Sequence, residues 1–157
     1  MKERIMKISQ LMTPHPVTCT ASTNLAEAAA LMLEGDCGIL PVLSDGKLFG
    51  VVTDRDLFIA LGTRDLRPSS MTVADVVTGP VFTCGPDDEP ETVLALMKEH
   101  QIRRLPVLGF GGTVLGIVSM NDLALAAGKP GVRGADILTA LQAICAHHHP
   151  TPHIEAA

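Results

Sequence analysis

Two places in this 157-residue chain set a hydroxyl and a carboxylate at the same spacing: Thr53 with Asp56, and Ser119 with Asp122. That spacing supports two kinds of chemistry. In one, Thr53 and Ser119 are helix N-caps, and the aspartates complete an acidic first turn favoured by the helix dipole. In the other, the helix N-terminus and hydroxyl receive a phosphate or other anion, while the carboxylate accepts hydrogen bonds from a vicinal diol such as ribose. Seen once, the pattern reads as a cap. Here it occurs twice.

Other reactive residue types fall short of a catalytic or metal centre. His147, His148 and His149, with His153 beyond two prolines, could suggest metal, but consecutive side chains on a helix or extended tail point in different directions and do not converge. A disordered tail is the expected state of residues 147–157. Cysteines at 19, 37, 84 and 145 form no CxxC pair and read as free thiols in a reducing compartment. Gly109 to Gly112 lacks the Lys-Ser/Thr of a phosphate-binding loop and reads as a turn. No nucleophile elbow or His-Glu-x-x-His motif is present, so nothing in the sequence nominates an enzyme.

The elements that position the two hydroxyl–aspartate pairs follow from an internal repeat. Ile8 to Thr13 followed by Pro16-Val17 recurs as Val73 to Thr78 followed by Pro80-Val81. Leu40-Pro41-Val42-Leu43 recurs as Leu105-Pro106-Val107-Leu108, and Gly50-Val51-Val52-Thr53 as Gly116-Ile117-Val118-Ser119. In the first copy, Asn24 and Glu27 predict a capping box opening a helix whose Leu25, Ala28, Ala29 and Met32 share a face, ending near Gly35. Strand Ile39 to Leu43, a turn at Ser44 to Lys47 and a return strand Leu48 to Thr53 form a hairpin, and a second helix starts directly after Thr53. The second copy repeats this, with Asp88 and Glu91 at the helix start, Pro90 in its first turn, and Val93, Leu96, Met97 and His100 along one face. The expected fold is an α/β (α+β) pseudo-twofold pair of βαββα units. Residues 7–64 and 73–128 form the copies, 65–72 connect them, and a C-terminal helix over 134–146 covers apolar surface on its own module or a second chain.

Composition narrows the partners. Hydrophobic residues make up 46% of the chain, enough for one compact core without disulfides. A formal charge of -5 with no basic stretch, no Trp or Tyr and only four Phe argues against nucleic acid. Neither a leader nor a run of roughly 20 apolar residues is evident, so a cytoplasmic protein away from the membrane is expected.

The order Leu-Pro-Val, turn, Gly-(Val/Ile)-Val-(Thr/Ser)-x-x-Asp-Leu, preceded by openings such as Leu11-Met12-Thr13-Pro14-x-Pro16-Val17, resembles the cystathionine-β-synthase (CBS) domain family, whose paired form is called a Bateman module. The resemblance covers about residues 7–64 and 73–128, most of the chain, and its opening and closing motifs occur in order twice. It implies two clefts for adenosine-containing ligands such as AMP, ADP, ATP or S-adenosylmethionine, with no cofactor required. By that resemblance one cleft uses Thr18, Ile39, Pro41, Thr53 and Asp56, and the other Thr83, Arg104, Pro106, Ser119 and Asp122. The aspartate holds ribose, the hydroxyl helps with phosphate, and backbone near the opening strand reads adenine.

The copies differ before the proline, where the second has Arg103-Arg104 and the first Asp36-Cys37-Gly38. Two permanent cations suit phosphate, so the second cleft is expected to be the better phosphate-bearing site, and Asp36 to disfavour polyphosphate in the first. The leading expectation is a stand-alone regulator that senses an adenosine ligand, forms a homodimer as the resemblance implies, and signals to another protein. The alternatives are an interaction scaffold with unoccupied clefts, acting through the C-terminal helix, and a metal-responsive regulator using the histidine tail.

Overall fold

The computed structural model describes residues 4–146. After a one-turn 3-10 helix at Ile8–Gln10, the first copy runs β1 (Thr13–Pro14), β2 (Cys19–Thr20), α1 (Leu25–Glu34), β3 (Ile39–Ser44), β4 (Lys47–Thr53) and α2 (Asp54–Thr63). The second opens on a 3-10 helix at Val73–Asp75, then runs α3 (Pro90–His100), β5 (Arg104–Leu108), β6 (Val114–Ser119) and α4 (Met120–Leu125), and α5 (Gly134–Cys145) closes the described chain. The mixed α+β architecture is the one expected. Among the described residues no helix is long and apolar enough to cross a membrane.

Local chemistry accounts for the boundaries. Asn24 Oδ1 accepts the Glu27 N–H at 2.9 Å, but the Glu27 side chain makes no return bond among the described residues, so the expected capping box is one-sided. On α1, Leu25, Ala28 and Met32 are buried, whereas Ala29 is turned to solvent, a helical step beyond Ala28. In the second copy the cap moves one residue on. Glu89 is the N-cap, Pro90 takes the first helical position, and Asp88 instead accepts the Gly85 N–H at 2.8 Å to close the preceding turn. Asp45 and Gly46 both have positive φ, +50° and +73°, the pairing that lets a two-residue turn follow the twist of β3 and β4.

One of the two sheets draws strands from both copies. One has the order β2-β3-β4, with β2 parallel to β3; the other has the order β1-β6-β5, with β1 antiparallel to β6 through Thr13↔Ile117 and Pro14↔Gly116. The first copy's opening strand is therefore an edge of the second copy's sheet. Packing follows the same exchange. Ile8 is fully buried in a core with Leu105, Val107, Val118 and Met97, while Met71, Val73 and Val76 are buried with Leu25, Leu40, Val42 and Val52. Backbone bonds match across the pseudo-twofold: Ile8 N–H donates to Asp88 O and Ser9 N–H to Pro86 O, as Val73 N–H donates to Thr23 O and Ala74 N–H to Ala21 O. Each fully buried Val or Leu contributes roughly 1.5–3 kcal/mol, so these reciprocal insertions fasten the copies together.

Helix α5 packs on its own module. Ile137 and Ala140 are buried in the second core, and Leu141 and Ile144 pack at its edge. Leu138 and Cys145, which the sequence places on the same apolar face, are exposed. Gln101 fixes the helix from the far side, its Nε2 donating to Ala143 O at 2.9 Å.

Candidate ligand-binding clefts

Each strand-to-helix junction forms a closed reciprocal cap. Asp56 Oδ2 accepts from the Thr53 N–H at 2.8 Å and from the Thr53 hydroxyl at 2.7 Å, and Thr53 Oγ1 accepts from the Asp56 N–H at 3.2 Å. Asp122 Oδ2 accepts from the Ser119 N–H at 2.7 Å and the Ser119 hydroxyl at 2.6 Å, with the Asp122 N–H returning to Ser119 Oγ at 3.2 Å. The structural role assigned to these pairs is thus fulfilled in full. It occupies only one carboxylate oxygen of each, because no hydrogen bond among the described residues reaches Asp56 Oδ1 or Asp122 Oδ1. A carboxylate has capacity for about four acceptor contacts, so cap and diol binding are compatible on one residue.

Two clefts lie between the copies, and each draws on both. The first, of about 320 Å³, sets Ser119, Asn121 and Asp122 of the second copy against Thr13, His15 and Val17 of the opening segment and the loop Asp36-Cys37-Gly38. The second, of about 540 Å³, sets Thr53, Asp54 and Arg55 of the first copy against Pro80 and Phe82 of the other opening segment and against Gln101, Ile102 and Arg103. Ile39 and Arg104, which start β3 and β5, line both clefts. The first cleft's volume falls in the usual range for small-molecule pockets, about 300–1,000 Å³, and so does the second's.

Among the expected site residues, Ser119, Asp122, Arg104 and Ile39 meet in the first cleft; Thr53, Arg103, Arg104, Pro106 and Ile39 meet in the second. Thr18, Pro41, Asp56 and Thr83 line neither. The grouping by copy gives way to a grouping across copies, because each opening segment packs against the other copy, the first as strand β1 beside β6 and the second through Val73 and Val76 in the first copy's core. One consequence concerns charge. Asp36 shares its cleft with Ser119 and Asp122, and Arg103 shares its cleft with Thr53, so the acidic and basic loops each sit opposite the other copy's strand-to-helix junction.

Sequence reasoning did not single out Arg55, Phe82, Ile144 or His15 as lining residues. A signal for the loops was present in the repeat itself. Asp36 and Gln101 occupy equivalent positions after α1 and α3, and both adopt left-handed φ, +46° and +52°, which turns each loop into a cleft. Phe82 is held by a stacked contact with His100, ring centroids 3.6 Å apart. His147, His148, His149 and His153 lie outside the described residues. Among those described, no group of three or more His, Cys, Asp or Glu side chains is placed to hold a metal ion.

Known proteins share the tandem pattern and the fold. The CBS domain model matches residues 8–63 and again 73–129. The uncharacterised protein YlbB of Bacillus subtilis (strain 168) is 39% identical over 121 residues, covering 76% of this chain and 80% of YlbB. Hypoxic response protein 1 of Mycobacterium tuberculosis (strain ATCC 25618 / H37Rv) is 34% identical over 110 residues, 69% of this chain and 76% of that protein. Among solved structures, the CBS domain pair of protein MJ0100 in complex with 5'-methylthioadenosine and S-adenosyl-L-methionine superposes with a TM-score of 0.70 at 25% identity, covering 78% of this chain and 95% of that one. Hypoxic Response Protein I with two coordinated zinc ions gives 0.70 at 28% identity, covering 78% and 99%. The twofold match along the sequence and the shared pair architecture together establish that this chain belongs to the CBS domain family, as a tandem pair.

Proposed function

We propose that this CBS pair is a regulatory module that binds an adenosine-containing ligand between its copies and passes the binding state to a partner protein. The observation that carries the reading is Asp122. One of its carboxylate oxygens holds the α4 cap, and the other is uncommitted in a residue lining the first cleft, the arrangement a ribose diol requires. The adenosyl ligands bound by the MJ0100 pair support the ligand class.

Signalling would follow from the architecture. Both clefts are lined from both copies, so a ligand that favours one relative placement shifts the whole module by its differential affinity. A homodimer is the expected carrier of that shift. Phe58 and Leu61 on α2 and Leu125 on α4 are left exposed, and apolar side chains of this size at a surface suit burial against a second copy.

Calorimetric titration with AMP, ADP, ATP, S-adenosylmethionine and 5'-methylthioadenosine tests the reading, with Asp122→Ala and Asp56→Ala alongside. Binding of at least one adenosyl compound that is lost in Asp122→Ala supports it. Absence of binding to all five would refute it and leave an interaction scaffold, for which the fully satisfied caps and exposed Leu138 already speak.

A further inference from the structure

The two clefts differ in charge in a way their shared ancestry in the repeat does not require. The second is lined by three guanidiniums, Arg55, Arg103 and Arg104, against one carboxylate, Asp54. The first is lined by two carboxylates, Asp36 and Asp122, against Arg104 alone, with His15 at the side. Among the described residues none of these arginines forms an ion pair; the three pairs present join Lys7 to Glu89 and Arg133 to Glu91 and Asp136. Asp54 is partly committed already, its Oδ1 accepting the Arg55 N–H at 2.8 Å. Guanidiniums present planar forks of donors that match phosphate oxygens, and three of them without ion-pair partners among the described residues line this one cleft.

The second cleft also has an apolar side for a base. Val51, Phe82 and Ile144 line it, the last contributed by α5, an element outside the repeat. Gln101, at the cleft edge, ties α5 in place through Ala143. No α5 residue lines the first cleft, where Asp36 stands at the position equivalent to Gln101.

Resting on the adenosine-ligand reading above, we propose that the clefts are divided by ligand class. The second, at Thr53, Arg55 and Arg103, takes a polyphosphate-bearing ligand, and the first, at Asp36 and Asp122, takes an adenosyl ligand without phosphate. The arginine loop keeps the phosphate-bearing role expected of it, but the hydroxyl it faces is Thr53 instead of Ser119, and Asp36 faces Asp122 instead of Asp56.

The test uses the full chain and three probes: ATP, inorganic tripolyphosphate and 5'-methylthioadenosine. Arg55 and Arg103 are exposed, so Arg55→Gln and Arg103→Gln leave the fold intact. Each is expected to weaken ATP about tenfold, the scale of one lost charge-assisted hydrogen bond, and to leave 5'-methylthioadenosine unchanged. Asp122→Asn should do the reverse, and ATP should bind protein already saturated with 5'-methylthioadenosine. Tripolyphosphate displacing ATP, with affinity falling as salt rises, would place the phosphates at the arginines, and its affinity relative to ATP reports whether the base adds to binding. Competition between ATP and 5'-methylthioadenosine, with ATP lost in Asp122→Asn and indifferent to the arginines, overturns the division while sparing the adenosine-ligand reading. If 5'-methylthioadenosine binds but neither ATP nor tripolyphosphate does, the division also falls; if no adenosyl probe binds, both readings fall.

Discussion

Gly116 on β6 lies so close to Thr13 on β1 that a Cβ there would stand 2.8 Å from the Thr13 carbonyl oxygen and 2.6 Å from Met12 Sδ. Its counterpart Gly50 would meet Val77 Cγ1 at 2.6 Å, with the next contact, Val77 Cβ, at 3.9 Å. The absence of a side chain at both positions is what lets each opening segment cross over and dock on the other copy. The two obstructions are not equal, because a valine methyl can rotate away and a strand carbonyl paired in a sheet cannot. Gly116→Ala is therefore expected to destabilise by about 2–3 kcal/mol and Gly50→Ala by about 1 kcal/mol. Urea unfolding measures both, and Val77→Ala should reduce the coupling in Gly50→Ala but not in Gly116→Ala.

Removing either cap carboxylate should cost similar stability. Asp56→Ala and Asp122→Ala each break a reciprocal cap, and about 1 kcal/mol is the expected loss for each. Their effects on ligand should differ, since Asp122 lines a cleft and Asp56 does not. Thermal unfolding with and without 5'-methylthioadenosine separates the two: both variants melt earlier, and only Asp122→Ala loses the ligand-induced rise.

Thiol reactivity should rank by environment. Burial, with Glu27 nearby, pushes the Cys19 thiol up to about 11, and burial with Asp88 nearby pushes Cys84 up to about 12. At pH 8 about one Cys19 in a thousand is then thiolate, and fewer of Cys84, so both should resist alkylation in the folded protein. Cys145 is exposed and should label first. Cys37 lines the first cleft, so a ligand there should slow its labelling, read by mass spectrometry of alkylated peptides, and leave Cys145 unaffected.

Asp75 supplies a pH dependence. Its Oδ2 accepts the Thr72 N–H at 2.7 Å and the Thr72 hydroxyl at 2.9 Å, and these bonds, with Arg64 near, hold its carboxyl below the ordinary carboxylate range. A folded-state value below the unfolded one means the contribution is present above the unfolded pKa and disappears as pH falls through the folded one. The stability gap between the protein and Asp75→Asn should therefore be constant at neutral pH and close in acid. A gap independent of pH down to the acid transition would contradict this.

Much of the fold was legible because the repeat supplies each element twice. The Thr53 and Ser119 caps, the Asp45-Gly46 turn and Pro90 at a helix start all follow from short-range chemistry. The crossing of the opening segments was not legible, because Ile8 and Val73 fit an apolar core equally well in either copy, and residue type does not say which. The same ambiguity propagated to the site. Thr53 and Arg103 are both visible in sequence, but that they share a cleft depends on the crossing, as does the meeting of Asp36 with Asp122. Asp88 misled for a local reason: two adjacent acids precede Pro90, and the turn to Gly85 claims the first.

The crossing of Ile8 and Val73 has a further consequence for the polypeptide as a material object. A fragment ending in the connector would carry β1 and Ile8 without the sheet and core that receive them, while its own core would lack Val73 and Val76. The remaining fragment would miss the opposite pieces. Each half holds the part the other is missing, so separately expressed halves should reconstitute in trans. The covalent link between them then acts chiefly by raising their local concentration.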